Sequence, residues 1–148
     1  MQITKFSDYA LRILIHLAVS GGVRLSARDI AEVQGISVTH LAKIAQWLAS
    51  EGYVNATRGR SGGMTLARDP SGISIGALLR SSEAGSPLVE CLRPDGGCCA
   101  LTPACGLSPV LAGAQEAFFA HLDPVTLADV LTKNAGMRRL VASLHAPS

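Results

Sequence analysis

The sequence predicts a mainly α-helical chain with one small β-hairpin. Three observations lead there. Apolar residues make up 48% of the 148 and charged residues 16%, so the chain buries a core and is not a disordered polymer. Aromatic residues are only 4%, while Ala, Leu, Val and Gly are plentiful, a mix that packs helices through small aliphatic side chains. Apolar residues also recur at helical spacing in several stretches, and only one place reads as two short strands around a glycine-rich turn. A chain of 148 residues is one domain, or one small domain with an appendage.

The elements follow in order. Ser7 or Asp8 is the expected N-cap of a first helix running to about Val19, with Leu11, Leu14, Ile15 and Ala18 at helical spacing. Gly21-Gly22 ends it. Ser26 stands three residues before Asp29, a capping-box-like start ahead of Ile30, Ala31 and Val33. Gly35 breaks that short helix, and Ser37 is the expected cap of a third, ending near Ser50. Leu41, Ile44, Ala45 and Leu48 form its apolar stripe; His40, Lys43 and Gln46 fall outside it. After Gly52, residues 53–58 and 64–67 flank the Gly59–Gly63 turn as a β-hairpin. Helix, helix, turn, helix, hairpin is the order of a winged helix-turn-helix, in which the third helix enters the major groove and the hairpin is the wing. A short helix is expected over residues 75–82 and a loop rich in Gly, Pro and Cys over 84–108. A long helix follows over about 109–122. Asp123 and Pro124 then read as N-cap and first turn of a final helix to about Thr132, and residues 146–148 read as a frayed end. Three regions result: 1–83 for DNA binding, 84–108 as a cysteine loop, and 109–148 as a long helix and a C-terminal helix.

Charge is uneven along the chain. Residues 1–68 hold eight Lys and Arg against four acids, whereas residues 69–148 hold five against seven. A basic first half suits an anionic partner. Candidate DNA contacts cluster there: Ser26, then Ser37, Thr39, His40 and Lys43 at the start of the third helix, and Arg58, Arg60, Gly62 and Gly63 at the wing turn. Helix starts meet base edges and guanidinium groups reach phosphate; the two glycines are expected to allow close backbone approach and positive φ. The plain alternative is a solvated helix face with a flexible hairpin.

The longest nearly apolar run, residues 13–19, contains His16 and falls far short of the ~20 residues of a membrane span. No cleavage signal follows it, so the expected compartment is the cytoplasm. There, Cys91, Cys98, Cys99 and Cys105 are ligands or sensors rather than disulfides. No Cys-x-x-Cys pair supports a zinc knuckle. Cys91, Cys99 and Cys105, separated by seven and five residues, suit iron–sulfur ligation with a fourth ligand from elsewhere. Free structural cysteines, or a metal-free thiol switch, are the alternatives. His16 reads as a packed core residue, His121 and His145 as surface positions, and Trp47 as a packing residue. An enzyme is not indicated: no nucleophile–base pair appears, and Arg60-Ser61-Gly62-Gly63 lacks the Lys-Ser/Thr of a phosphate loop.

Several stretches resemble the iron–sulfur winged-helix repressors. They are Phe6-Ser7-Asp8-Tyr9-Ala10-Leu11-Arg12, His40-Leu41-Ala42-Lys43-Ile44, Gly52-Tyr53-Val54 and Arg58-Gly59-Arg60-Ser61-Gly62-Gly63. In the second half they are Leu88-Val89-Glu90-Cys91, Cys99-Ala100-Leu101-Thr102-Pro103-Ala104-Cys105 and Leu127-Ala128-Asp129-Val130. The resemblance covers about residues 1–132 and is strongest to the nitric-oxide-sensitive branch. It implies a homodimeric repressor on a palindromic operator, with a 4Fe–4S or 2Fe–2S cluster on Cys91, Cys99 and Cys105. It also implies a fourth ligand, Asp8, from the partner subunit, and release of DNA when nitric oxide attacks the cluster. Detoxification genes would then be expressed. Two departures stand out. The seven-residue gap also suits the iron-responsive rhizobial branch, and Cys98 is an alternative to Cys99. The iron–sulfur-assembly branch carries a histidine where this chain has Ser108.

Overall fold

The structure is a computed structural model and describes residues 2–57, 59, 62–132 and 134–145. The helices are α1 (Lys5–Val19), α2 (Ala27–Gln34), α3 (Val38–Ser50), α4 (Ile75–Ser82), α5 (Leu107–Leu122), α6 (Leu127–Thr132) and α7 (Ala135–Leu144). Strands β1 (Val54–Thr57) and β2 (Gly63–Leu66) pair antiparallel, with Val54 opposite Leu66 and Thr57 opposite Gly63. The mainly α architecture with one hairpin is therefore as expected.

α1 is the axis of the core. Its Ala10, Ile13, Leu14 and Leu17 are buried, and it touches α3, β2, α4, α6 and α7. From α3, Leu41, Ile44 and Leu48 point inward, as their i, i+3, i+7 spacing dictates. Ile73, Leu78 and Leu127 complete the centre; each such side chain contributes about 1.5–3 kcal/mol by leaving water. Trp47 packs edge-on to Phe6 at 5.1 Å, the packing role expected of it.

The helix-turn-helix is set by its caps. Ser26 and Asp29 form the expected capping box. Gly35 closes α2 in the left-handed conformation, φ 63°. Ser37 occupies the N-cap position of α3, but its side chain makes no capping bond. The wing is tied to this unit by a bridge in which Leu25 and Met64 exchange backbone hydrogen bonds at 3.1 and 2.7 Å.

Four expectations need correction. The N-cap of α1 is Thr4, whose hydroxyl accepts from Ser7 N; Ser7 is buried, and its hydroxyl donates to the Glu83 carboxylate and also contacts the Ser82 hydroxyl. The partnership with the half-buried Glu83 holds Ser7 within the helix, so neither Ser7 nor Asp8 is the cap. Asp123 ends α5, and α6 starts instead from Thr126, which exchanges hydrogen bonds with Asp129. The chain also does not stop at Thr132: α7 follows, capped by Asn134. Finally, positive φ in the wing turn falls at Gly59 (114°) and not at Gly63. Gly63 serves close approach alone, since a Cβ there would lie 2.6 Å from Arg24 Cγ and 3.0 Å from the Leu25 carbonyl oxygen. The frayed end expected at 146–148 lies outside the described residues.

Asp123 is held where it is by Arg80, which donates two hydrogen bonds to it and two to Glu116 while lying over the Phe119 ring. This clamps α4 to α5. Gly76 of α4 makes the contact possible, because a Cβ would stand 2.6 Å from Asp123 Cα. Gly76→Ala is expected to cost about 2 kcal/mol, the usual scale of overpacking against backbone. Urea unfolding measures it; parental stability would show that α4 and α5 part freely.

Candidate DNA interface and cysteine loop

Because the apolar stripe of α3 faces the core, the opposite side is presented to solvent. Ser37, Thr39, His40, Lys43 and Gln46 are all exposed there. Between α3 and the hairpin runs an open groove of about 630 Å³, lined by Ser26, Arg28, Gln46, Thr57, Gly62 and Gly63 among others. The structure thus brings Ser26, Gly62 and Gly63 around one groove, with Thr39, His40 and Lys43 on the neighbouring ridge. Arg28 and Gln46 join this face although neither was singled out as a contact. Gln46 carried a signal, its place outside the apolar stripe; Arg28 carried only its charge. Arg58 and Arg60 lie outside the described residues.

The cysteines sit on the connection from α4 to α5. Cys91 occupies a single 3-10 turn, Glu90–Leu92. Residues 93–97 then reverse the chain: Gly96 N donates to Arg93 O at 2.9 Å, and the Asp95 carboxylate accepts from Gly97 N and Arg93 at 3.0 Å each. Gly97, at φ 64°, lies so close to Glu90 that a Cβ would stand 2.6 Å from its carbonyl oxygen. The segment leading into Cys98 is thereby folded back onto the segment that bears Cys91. A second 3-10 turn, Thr102–Ala104, separates Cys99 from Cys105. Leu88 N donates to Gln115 Oε1 at 3.2 Å, fastening the loop's start to α5. All four thiols are free; Cys91, Cys99 and Cys105 are half-buried and Cys98 is exposed. The Cys91 thiol donates to Ser108 Oγ at 3.6 Å. Three half-buried thiols on one folded loop are a soft donor set that fits an iron–sulfur group in chemistry and number. Within the single chain, no three His, Cys, Asp or Glu side chains among the described residues are gathered for a metal ion.

Asp8 stands apart from that loop, on the half-exposed side of α1. Arg12, one turn on, donates to its two oxygens at 3.1 and 2.7 Å and gives a third hydrogen bond, 2.9 Å, to Gln34 Oε1. Gln34 is the last residue of α2, so Asp8 reaches the helix-turn-helix through one guanidinium. Gln34 continues the chain of contacts: its Nε2 donates to His16 Nε2 at 2.8 Å, and His16 Nδ1 then donates to His145 Nε2 at 2.6 Å. His16 is buried, as expected, but His145 is not a free surface residue; it follows α7 and closes on the core. This polarity of contacts leaves no room for a proton on His16 Nε2, since Arg12 fixes the Gln34 amide with its donors toward the ring. Burial, and after it the charge of His145, push the His16 pKa down from 6.5 to about 4. A folded value below the unfolded one means stability that is complete above pH 6.5 and drains away as pH falls toward about 4. The loss is expected to reach about 3 kcal/mol. Urea midpoints between pH 7.5 and 4.5 measure it for the parent and for His16→Gln, which lacks the titration. Superimposable pH profiles would remove His16 as the cause.

No helix among the described residues is long and apolar enough to cross a membrane. Comparison with known proteins agrees with the fold and adds the family. The profile of Rrf2, iron-dependent transcriptional regulators, matches residues 3–133. The HTH-type transcriptional regulator NsrR of Geobacillus kaustophilus is 44% identical over 142 residues, 95% of this chain and 97% of that one. The HTH-type transcriptional repressor NsrR of Streptomyces coelicolor is 43% identical over 138 residues, 92% of each chain. Among solved structures, IscR of T. potens superposes with a TM-score of 0.67 at 27% identity, covering 100% of this chain and 94% of that one. These relatives regulate transcription and are not enzymes. The chain belongs to the Rrf2 family of iron-dependent transcriptional regulators.

Proposed function

We propose that this regulator is a homodimeric repressor whose hold on a palindromic operator depends on an iron–sulfur cluster, 4Fe–4S or 2Fe–2S, and that nitric oxide is its signal. Cys91, Cys99 and Cys105 would hold the cluster, with Asp8 of the partner subunit as fourth ligand. Residues 84–108 are the cluster loop, 1–83 the DNA-binding region and 109–148 the dimerisation region, on which Val110, Leu140 and Leu144 are large exposed apolar side chains. When bound, the cluster supplies iron that reacts with nitric oxide. The observation that carries the reading is that one chain holds both a three-thiol loop and, apart from it, a carboxylate wired to the helix-turn-helix through Arg12 and Gln34. A ligand bond drawn on Asp8 would take the carboxylate from Arg12, freeing the guanidinium that now fixes the end of α2. The relatives named NsrR support this branch. The family's description as iron-dependent favours a second reading, with iron or redox state as the signal.

Anaerobic purification followed by two titrations separates these readings. Nitric oxide is expected to abolish operator binding at equivalents that match the cluster, whereas an iron chelator acts slowly. The reverse order would favour the iron-responsive reading, and a colourless protein that binds DNA under thiol control would sink both. At the interface, Arg58→Ala and Arg60→Ala are each expected to flatten the slope of log K against log salt by about 1, as for a lost phosphate contact. Lys43→Ala and His40→Ala are expected to change base preference, with about 1–3 kcal/mol lost per good contact. Parental salt slopes in both arginine variants would reject the wing assignment.

A further inference from the structure

The reading ridge of α3 has a depression on each side. Toward the wing lies the open groove already described. Toward α1 lies a second trough of about 270 Å³, lined by Lys5, Phe6, Tyr9, His40, Lys43 and Ile44. We propose that this second trough binds the DNA sugar-phosphate backbone on the flank of α3 opposite the wing, with Lys5 and Tyr9 as contacts. The proposal rests on α3 being the DNA-reading helix, the reading given above.

Three features of the trough select this occupant. The first is position. A helix lying in a major groove about 12 Å wide has one strand's backbone on either side of it. The wing-side groove, bordered by Ala42, Gln46 and Ala49 of α3, accommodates one; the hollow on the α1 side, bordered by His40, Lys43 and Ile44 of the same helix, lies where the other would run. The second is charge. Lys5 and Lys43 are exposed, and among the described residues neither ammonium is paired with a carboxylate. Asp8, the acid nearest in sequence, is taken by Arg12, which also lies over the Tyr9 ring. An unneutralised pair of cations beside a reading helix suits a polyanion rather than an apolar peptide. The third is the floor. The half-buried Phe6 ring gives an apolar surface for the deoxyribose, while the Tyr9 phenol brings a hydroxyl that donates to phosphate. Lys5 opens α1, so a backbone strand held here would also touch the helix that carries Asp8.

The chain has one tryptophan, Trp47, and it touches the trough residue Phe6 at 5.1 Å. Its emission therefore reports occupancy. The test uses the full chain purified anaerobically, operator duplexes recovered from a random pool, and a mixed-sequence 30-base-pair duplex. Lys5→Ala is expected to weaken both duplexes several-fold at 0.1 M salt and to lower the salt slope by about 1. Lys5→Arg should restore both. Tyr9→Phe is expected to weaken binding several-fold with the slope unchanged. The sequence recovered from the pool should stay that of the parent, because backbone contacts carry no base information. Trp47 emission should change on duplex binding in the parent. Parental affinity and slope in Lys5→Ala and Tyr9→Phe, with Lys43→Ala weakened, would overturn the trough and leave the reading helix standing. A changed base preference in Lys5→Ala would overturn it as well, and so would an effect confined to self-association. If the variants of Lys43 and His40 also bound like the parent, the DNA reading of α3 itself would fall.

Discussion

Replacing Cys91, Cys99 or Cys105 by Ala is expected to leave protein reconstituted under anaerobic conditions essentially without iron and sulfide, while Cys98→Ala keeps its full complement. The effect would be large because each of the three would supply one of few soft donors, and a missing thiolate has no equal substitute among oxygen and nitrogen groups. The local structure explains the difference between neighbours. Cys98 is exposed and Cys99 half-buried. Cys99 also gives its carbonyl to Thr102 N at 3.1 Å, so it is built into the turn that leads to Cys105, and Cys98 precedes that turn. Iron and sulfide assays with visible absorption read the outcome. A Cys98→Ala protein without cluster beside a replete Cys99→Ala protein would exchange the two residues. Full loading in all four single variants would remove the three-thiol assignment.

What the sequence made legible was the part ruled by local chemistry. The capping box of α2, the glycine stop at Gly35, the apolar stripe of α3 and the paired strands all follow from neighbours within a few residues. The misses have a common cause, namely partners distant in sequence. Ser7 looked like a cap but is claimed by Glu83, and Asp123 looked like a helix start but is claimed by Arg80 from α4. His145 looked like surface because its partner, His16, is more than a hundred residues away. α7 was hidden by Gly136 and by a weakly apolar stretch whose one buried residue is Val141. The cysteine loop was legible as a donor set. Its folding was not, because Gly97 against the Glu90 carbonyl is a contact that only a three-dimensional arrangement displays.

Asp8→Asn is expected to load with a cluster yet lose most of the difference in operator affinity between loaded and cluster-free protein, a fall of 10-fold or more. The reasoning begins with what Asp8 is not. Thr4 caps α1, so removing the Asp8 carboxylate cannot cost the about 0.5–2 kcal/mol of a lost N-cap. Its ion pair with Arg12 is 38% and 43% exposed and contributes about 0–1 kcal/mol. Stability should therefore hardly move, and a melting midpoint close to the parent is part of the expectation. Asparagine keeps the shape and one hydrogen bond to Arg12 but offers iron a neutral oxygen in place of an anionic one. A carboxylate is already a harder and weaker partner than a thiolate for cluster iron, and the amide is weaker again. With three cysteines left to hold the group, the change is expected to show as an altered visible or circular-dichroism spectrum and a shifted response to added thiols. The functional loss follows from the contact with Gln34. If the partner subunit's demand on Asp8 decides whether Arg12 is free or bound, the end of α2 has two arrangements, and operator affinity differs between them. Asp8→Ala releases Arg12 permanently and should give one affinity with or without cluster. Arg12→Gln, which cannot make the forked contact to Asp8, should likewise uncouple affinity from loading while leaving the spectrum of the parent. Measurements of operator binding with loaded and cluster-free protein, alongside the spectra, decide it. If Asp8→Asn and Asp8→Ala both retained the parental spectrum, thiol competition and loaded-to-free affinity ratio, Asp8 would be a surface ion-pair residue and the route through Arg12 would be wrong.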